Sequence, residues 1–265
     1  MIQNIKDFIH KRFAKKGYII KEGNLYCRPL TQKDRDLIKK IYSDPYCRAL
    51  LVGDVNPDDQ PITEWIGKMI NEYDKCGLSF YAVCKKGEKG ENEEKVGIVG
   101  LGLNPPKTEL ELPWVSIHYA FPSGSHQKGY CTRICQELVR FAVEELKIES
   151  IHAQTLSYNK VSQLILRRLG FQPNGTEICT KSYKDEYVTK FLLTRESYNQ
   201  ASTQEKITIE SVLHKDSRYF RDLINKDYKK WYNDRENVES NKVYNKRIIN
   251  YLNIVSTPGI KREIY

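Results

Sequence analysis

Gln127-Lys128-Gly129-Tyr130-Cys131-Thr132 is the stretch of this chain whose residue types and position could do chemistry. A short apolar run at 115–121 leads into a small polar turn at 122–127, and Gly129 opens a long amphipathic segment. The start of a helix carries main-chain N–H groups without intrahelical partners, and the positive end of the helix dipole, so it attracts phosphate. A glycine there lets an anion come close to the backbone. Further on stand Asn159-Lys160-Val161-Ser162 and then Arg168-Leu169-Gly170-Phe171. Asn159 is placed to cap a helix, Gly170 to supply its positive-φ end, and Phe171 to pack in the core.

These residues need elements to hold them, and the periodicity of the chain supplies a set. Ile5, Phe8, Ile9 and Phe13 recur at helical spacing among lysines, which predicts a basic amphipathic helix over 1–17. Such a helix either docks on the protein's own surface or lies on a membrane surface. A strand is predicted at 25–29, a helix capped by Thr31 to about 42, and a helix from Thr63 to about 75. A strand at 78–85, with Phe80, Ala82 and Cys84 on one side, is followed by a charged hairpin loop at 87–95. The return strand, 96–103, contains glycines suited to close packing or a bulge. A strand at 115–121, the helix from about 128 to 146, a strand at 150–156 and a helix at 159–169 follow. A hairpin of 177–182 with 187–194 closes the body. Beyond it, 200–205 is polar and linker-like, and 209–232 and 243–254 have helical spacing.

Composition narrows the function classes. The chain of 265 residues fits one domain with appendages or two small domains. Mean hydropathy is −0.62, and no apolar run is long enough to span a bilayer, which speaks against an integral membrane protein. The N-terminus has no long apolar signal segment. The seven cysteines show no Cys-x-x-Cys spacing, so structural zinc is not expected; free buried thiols in a reducing, cytoplasmic compartment are. The net charge of +9 sits on the appendages: 1–24 and 197–265 carry +4 each, which leaves about +1 for the body between them. A nearly neutral body is a poor grip on a phosphate backbone, so nucleic acid would be met by the basic ends.

Together the two segments resemble the GNAT acetyltransferase superfamily, and within it the RimJ/RimL-like branch of ribosomal-protein N-terminal acetyltransferases. The resemblance covers roughly 24–198, with 1–23 as a basic amphipathic helix before it and 199–265 as a helical extension after it. It implies an α+β (mixed α/β) GNAT fold. This is a central mixed, mostly antiparallel sheet, flanked by helices and splayed between its fourth and fifth strands. It also implies acetyl-coenzyme A as donor and a protein or peptide amine as acceptor.

The family's phosphate signature is Arg/Gln-x-x-Gly-x-Gly/Ala. Aligning its first glycine with Gly129 puts His126 at the Arg/Gln position and Cys131 at the Gly/Ala position, both departures. Gln127 stands where many relatives have a second glycine. The resemblance assigns the diphosphate to the amides of Gln127, Lys128, Gly129, Tyr130, Cys131 and Thr132, with charge added by Lys128 and Arg133. It lays the pantetheine arm beside Phe121, with Asn159 reaching it from the far side of the splay. The tyrosine that many relatives use as acid aligns with Leu166 and is missing. Ser162 matches the serine of the RimJ/RimL-like proteins, and either meets the sulfur or caps and packs.

The strand carboxylate of that branch aligns with Ser116 and is missing too. His118, two residues on and on the same strand face, is a candidate base with a suitable pKa. Glu109 and Glu111, just before the strand, are alternatives, as is a water relay. Three function classes follow: acetylation of a protein or peptide amine, acetylation of a small amine or aminoacyl-tRNA, and a catalytically idle interaction module with this fold.

Overall fold

A computed structural model describes residues 2–51, 58–87, 93–106, 113–157, 159–179 and 186–203. Among these residues, eight strands make one sheet. In chain order they are β1 (Ile20–Glu22), β2 (Leu25–Pro29), β3 (Phe80–Lys85), β4 (Glu94–Asn104), β5 (Trp114–Ala120), β6 (Ser150–Leu156), β7 (Gln172–Cys179) and β8 (Glu186–Thr194). In space they run β1-β2-β3-β4-β5-β6-β8-β7, antiparallel throughout except for the parallel pair β5 and β6. The short β1 forms a hairpin with β2 that periodicity does not reveal. The predicted fourth and fifth strands are therefore β5 and β6.

The helices are α1 (Ile2–Lys16), α2 (Arg35–Ser43), α3 (Pro45–Leu50), α4 (Asp59–Cys76), α5 (Tyr130–Arg140), α6 (Lys160–Arg168) and α7 (Arg195–Thr203). They cover both faces because the strands alternate. Tyr81, Val83, Val99, Leu101, Val115 and Ile117 look toward one core, shared with Ile9 of α1, Ile134 and Leu138 of α5, and Leu166 of α6. Ala82, Cys84, Ile98 and Ala120 look the other way, onto Ile38 and Ile41 of α2 and Ile62 and Ile66 of α4. Each fully buried branched or aromatic side chain contributes about 1.5–3 kcal/mol.

The basic N-terminal helix docks on the protein itself. Ile9 is completely buried, the ring of His10 stacks on Tyr73 at 4.7 Å, and Arg12 pairs with Glu145. No helix among the described residues is long and apolar enough to cross a membrane.

Several predicted boundaries move. The helix expected from Thr63 begins at Asp59. Thr63 opens its second turn, where its hydroxyl donates back to the Asp59 carbonyl at 2.8 Å instead of capping. The closing hairpin begins at Gln172, not at 177. Pro173 and Gly175 (φ 95°) look like loop residues but lie in a register shift within β7. Residues 200–203, expected in a linker, complete α7. The predicted helices at 209–232 and 243–254, and most of the 87–95 loop, lie outside the described residues.

Candidate active site

The turn after β5 is built as an open main-chain cradle. Ser125 N–H closes a tight turn on the Pro122 carbonyl at 2.8 Å, and His126 N–H another on Ser123 at 3.1 Å. The backbone then enters the left-handed region twice, at Gln127 (φ 61°) and Gly129 (φ 71°). Arg133 N–H donates to the Gly129 carbonyl at 3.1 Å as the first bond of α5, so the amides of Tyr130, Cys131 and Thr132 precede the helical ladder. Consecutive amides in such a turn form an anion-binding hollow at the positive end of the dipole.

Glycine is at 129 for its φ rather than for space, since an added Cβ would meet only Arg133 Cδ, at 3.8 Å. The same left-handed backbone at 127 accounts for the second glycine of the family pattern. Gln127, Lys128 and Gly129 are exposed. Lys128 holds its ammonium 5.9 Å from the Tyr130 ring centroid. Arg133, the other expected cation, is paired with Glu22 of β1.

Beside this cradle the sheet opens. β5 and β6 pair only at Val115↔Ile151 and Ser116↔His152. β4 follows β5 from Trp114 to Ala120, and β8 follows β6 along its length. From 117 onward β5 and β6 therefore part, and the gap between them leads to the cradle.

A bridge of helix, missed by periodicity, crosses the mouth of the gap. Asp44 caps α3 through Oδ1, which accepts from Tyr46 N at 2.9 Å and Cys47 N at 3.2 Å, while its Oδ2 accepts from Ser123 N at 2.8 Å. Cys47 Sγ donates to the carbonyl of Phe121 at 3.1 Å, and the Tyr46 ring meets the edge of His126 at 4.7 Å. At the other end of α3 the Leu50 carbonyl accepts from Asn159 Nδ2 at 3.2 Å. Asn159 also caps α6, its Oδ1 accepting from Ser162 N at 3.1 Å. The Asp44-Pro45 pair was the legible signal for α3: an acidic cap followed by proline at the first helical position.

Two clusters flank β5 beside the gap, one on each face of the sheet. On the α5 and α6 side, Ser162 Oγ lies 2.8 Å from the hydroxyl of Tyr119, a residue sequence reasoning passed over. Burial, with Cys131 and Cys135 nearby, pushes the Tyr119 phenol up and keeps it protonated. Leu166, at the position of the missing family tyrosine, is core.

On the α2 and α4 side, His118 Nε2 lies 2.7 Å from Ser116 Oγ, which accepts from Asn104 Nδ2 at 2.8 Å. The imidazole packs on Phe80 at 5.1 Å. Burial lowers its pKa to about 4, so it is a neutral ring at physiological pH. Gly102 makes room for this pair: an added Cβ would lie 3.0 Å from His118 Nε2 and 3.1 Å from Ser116 Oγ. Glu109 and Glu111 lie outside the described residues.

The comparisons agree with this fold. A family model described as Acetyltransferase (GNAT) domain matches residues 24–172. A GNAT-family acetyltransferase from Bacillus anthracis has a similar fold (TM-score 0.53, 18% identity), covering 67% of this chain and 98% of its own. RimL, the ribosomal L7/L12 alpha-N-protein acetyltransferase, solved with coenzyme A, is similar too (TM-score 0.56, 12% identity, 68% of this chain and 99% of its own). So is the microcin C7 self-immunity acetyltransferase MccE, solved with acetyl-CoA and AMP (TM-score 0.54, 11% identity, 65% of this chain and 93% of its own). With the family model spanning more than half of its length and the splayed sheet in place, this chain belongs to the GNAT acetyltransferases, which take their acetyl group from acetyl-coenzyme A.

Proposed function

We propose that the chain is an N-acetyltransferase that moves the acetyl group of acetyl-coenzyme A to a primary amine of a protein or peptide. The observation that carries this reading is the parting of β5 and β6 after only two residue pairs, directly beside an exposed left-handed turn. In this reading the turn residues 127–132 receive the coenzyme's diphosphate on main-chain amides, with Lys128 adding charge from solvent. Phe121 and His126 border the arm on the β5 side, and Asn159 borders it from α6. Cys131, small and partly exposed, stands at the family's Gly/Ala position without filling the hollow.

The bound coenzyme supplies a thioester, and the chain's residues do the rest. His118, neutral and buried, takes the proton that the amine nitrogen releases as the C–N bond forms; with its pKa lowered to about 4 it does not deprotonate a free ammonium, so the acceptor amine enters already neutral. Its link to Ser116 and Asn104 fixes the ring orientation. Ser162 places a hydroxyl where charge develops on the departing sulfur. Holding amine and thioester together in the gap supplies the remainder by proximity. The protein acceptor is supported by the RimJ/RimL-like motif pattern and by the fold shared with RimL. A cytoplasmic site of action is supported by the free thiols of Cys27, Cys47, Cys76, Cys84, Cys131 and Cys135.

Titration calorimetry with acetyl-coenzyme A, followed by transfer assays on N-terminal peptides, polyamines and aminoacyl-tRNA, tests the reading. Micromolar binding with turnover on peptides is expected. Turnover confined to small amines or aminoacyl-tRNA overturns the acceptor class. No binding at millimolar ligand makes the fold an interaction module.

A further inference from the structure

The proposed mechanism uses Ser162 but leaves the group touching it without a role. Tyr119 lies three residues beyond the last β5–β6 pair, on the face shared with α5 and α6. Its hydroxyl sits 2.8 Å from Ser162 Oγ and 3.4 Å from the Ser162 carbonyl. Ser162 itself is pinned in the first turn of α6, since its N–H donates to Asn159 Oδ1. The two hydroxyls thus tie β5 to α6 where the strands have separated.

We propose that Tyr119 is a positioning residue for the transfer reaction: its phenol donates to Ser162 Oγ and so frees the Ser162 O–H to point at the departing sulfur. A phenol is a stronger acid than an aliphatic alcohol, so in a hydroxyl pair it is the donor. Burial keeps it protonated, so it holds the hydrogen bond without giving up its proton. A serine hydroxyl that already accepts from Tyr119 has its own hydrogen available, and the bond it makes is strengthened by the one it receives. The balance of the step is simple. The C–N bond forms, the C–S bond breaks, the amine proton goes to His118, and the thiolate leaves hydrogen-bonded to Ser162 until water protonates it. The inference rests on the acetyltransferase reading above.

The test reads the sulfur directly and needs no acceptor. Coenzyme A is bound to the wild type, Tyr119→Phe, Ser162→Ala and the double variant, and its thiol is titrated by the ultraviolet absorbance of the thiolate. Free coenzyme A titrated alongside gives the reference; in the wild type the bound thiol is expected about one unit lower, a tenfold gain in thiolate. Each single variant should return most of that shift, and the double variant no more than Ser162→Ala, because the pair acts as one unit. Calorimetry should find coenzyme affinity within about threefold of wild type for Tyr119→Phe, as expected for a group that touches Ser162 and not the ligand. Ser162→Ala removes a single oxygen from a helix turn and carries the test should Tyr119→Phe fold poorly. A bound thiol that titrates as in solution, or one equally shifted in wild type and Tyr119→Phe, overturns the inference while leaving the acetyltransferase reading intact. Failure of the wild type to bind coenzyme A overturns both.

Discussion

The imidazole Nε2 of His126 donates to the main-chain carbonyl of Phe121 at 2.6 Å, folding the turn back on the end of β5. This is the carbonyl a coenzyme arm would use if it lies along β5 as an added strand. His126 also stands where the family pattern has Arg or Gln, so the departure has a structural consequence: with the Cys47 thiol already donating to this carbonyl at 3.1 Å, the ring takes the second lone pair that the arm would need. His126→Gln, with a flexible side chain in place of the ring edge packed on Tyr46, should tighten coenzyme binding roughly 3- to 10-fold, the worth of about one hydrogen bond. The dissociation constant from calorimetry checks this, and weaker binding would mean that the ring helps to hold the arm.

At Gly129 strain and charge can be separated. The φ of 71° penalises any side chain by roughly 1–2 kcal/mol, whereas the space beside it is open. Gly129→Ala should therefore lower the melting temperature and weaken coenzyme binding only modestly. Gly129→Glu adds a carboxylate against the diphosphate and should abolish binding. Equal affinities for the two variants would show that the anion sits elsewhere.

Legibility in the sequence followed the range of the interaction. Gly129, Gly170 and the cap at Asn159 were readable because a helix end is decided by the few residues around it. The two-residue alternation of β5 was enough to put His118 on one face. What His118 touches was not readable, since Ser116 is a strand neighbour but Asn104 arrives from β4. Tyr119 and Ser162 lie 43 residues apart, and only the closure of the α6 crossover brings their hydroxyls together. Glycines tell the same story: Gly97 was legible as a site of close packing, but not as the gap filled by the Phe121 ring, 2.3 Å from where its Cβ would be. α3 is a different case, because Asp44-Pro45 is a local signal that a six-residue helix makes easy to overlook.

Asn159 joins α6 to the short helix across the mouth of the gap through two different atoms, which lets its roles be divided. Oδ1 caps α6, and Nδ2 reaches the Leu50 carbonyl of α3. Asn159→Asp keeps the cap and loses the tether; Asn159→Ala loses both. The alanine variant should cost about 0.5–2 kcal/mol of stability and the aspartate variant less. If α3 must stay in place over the arm, both should weaken coenzyme binding alike. Denaturant melts and calorimetry on the two variants separate the effects, and an aspartate variant that binds as wild type would show that the tether to Leu50 is not used.

His118 makes a prediction in pH. Its folded pKa, lowered by burial to about 4 from the ordinary 6.5, leaves the ring neutral throughout the neutral range. Between those two values the unfolded chain binds a proton that the folded chain refuses. Stability therefore rises with pH across that window, is complete above it, and is lost as pH falls toward 4. The same sign governs catalysis: an acid limb set by His118 lies well below the 6.5 of an ordinary histidine, and a rise of kcat/KM at higher pH reports the acceptor amine losing its own proton. His118→Ala should lower kcat by roughly 10²–10⁴-fold with little change in coenzyme affinity, as removal of a general base does. His118→Asn should flatten the pH dependence of unfolding between about 4 and 6.5. Should turnover of His118→Ala match the wild type at saturating substrates while its unfolding profile flattens, the ring is structural and the proton leaves by water.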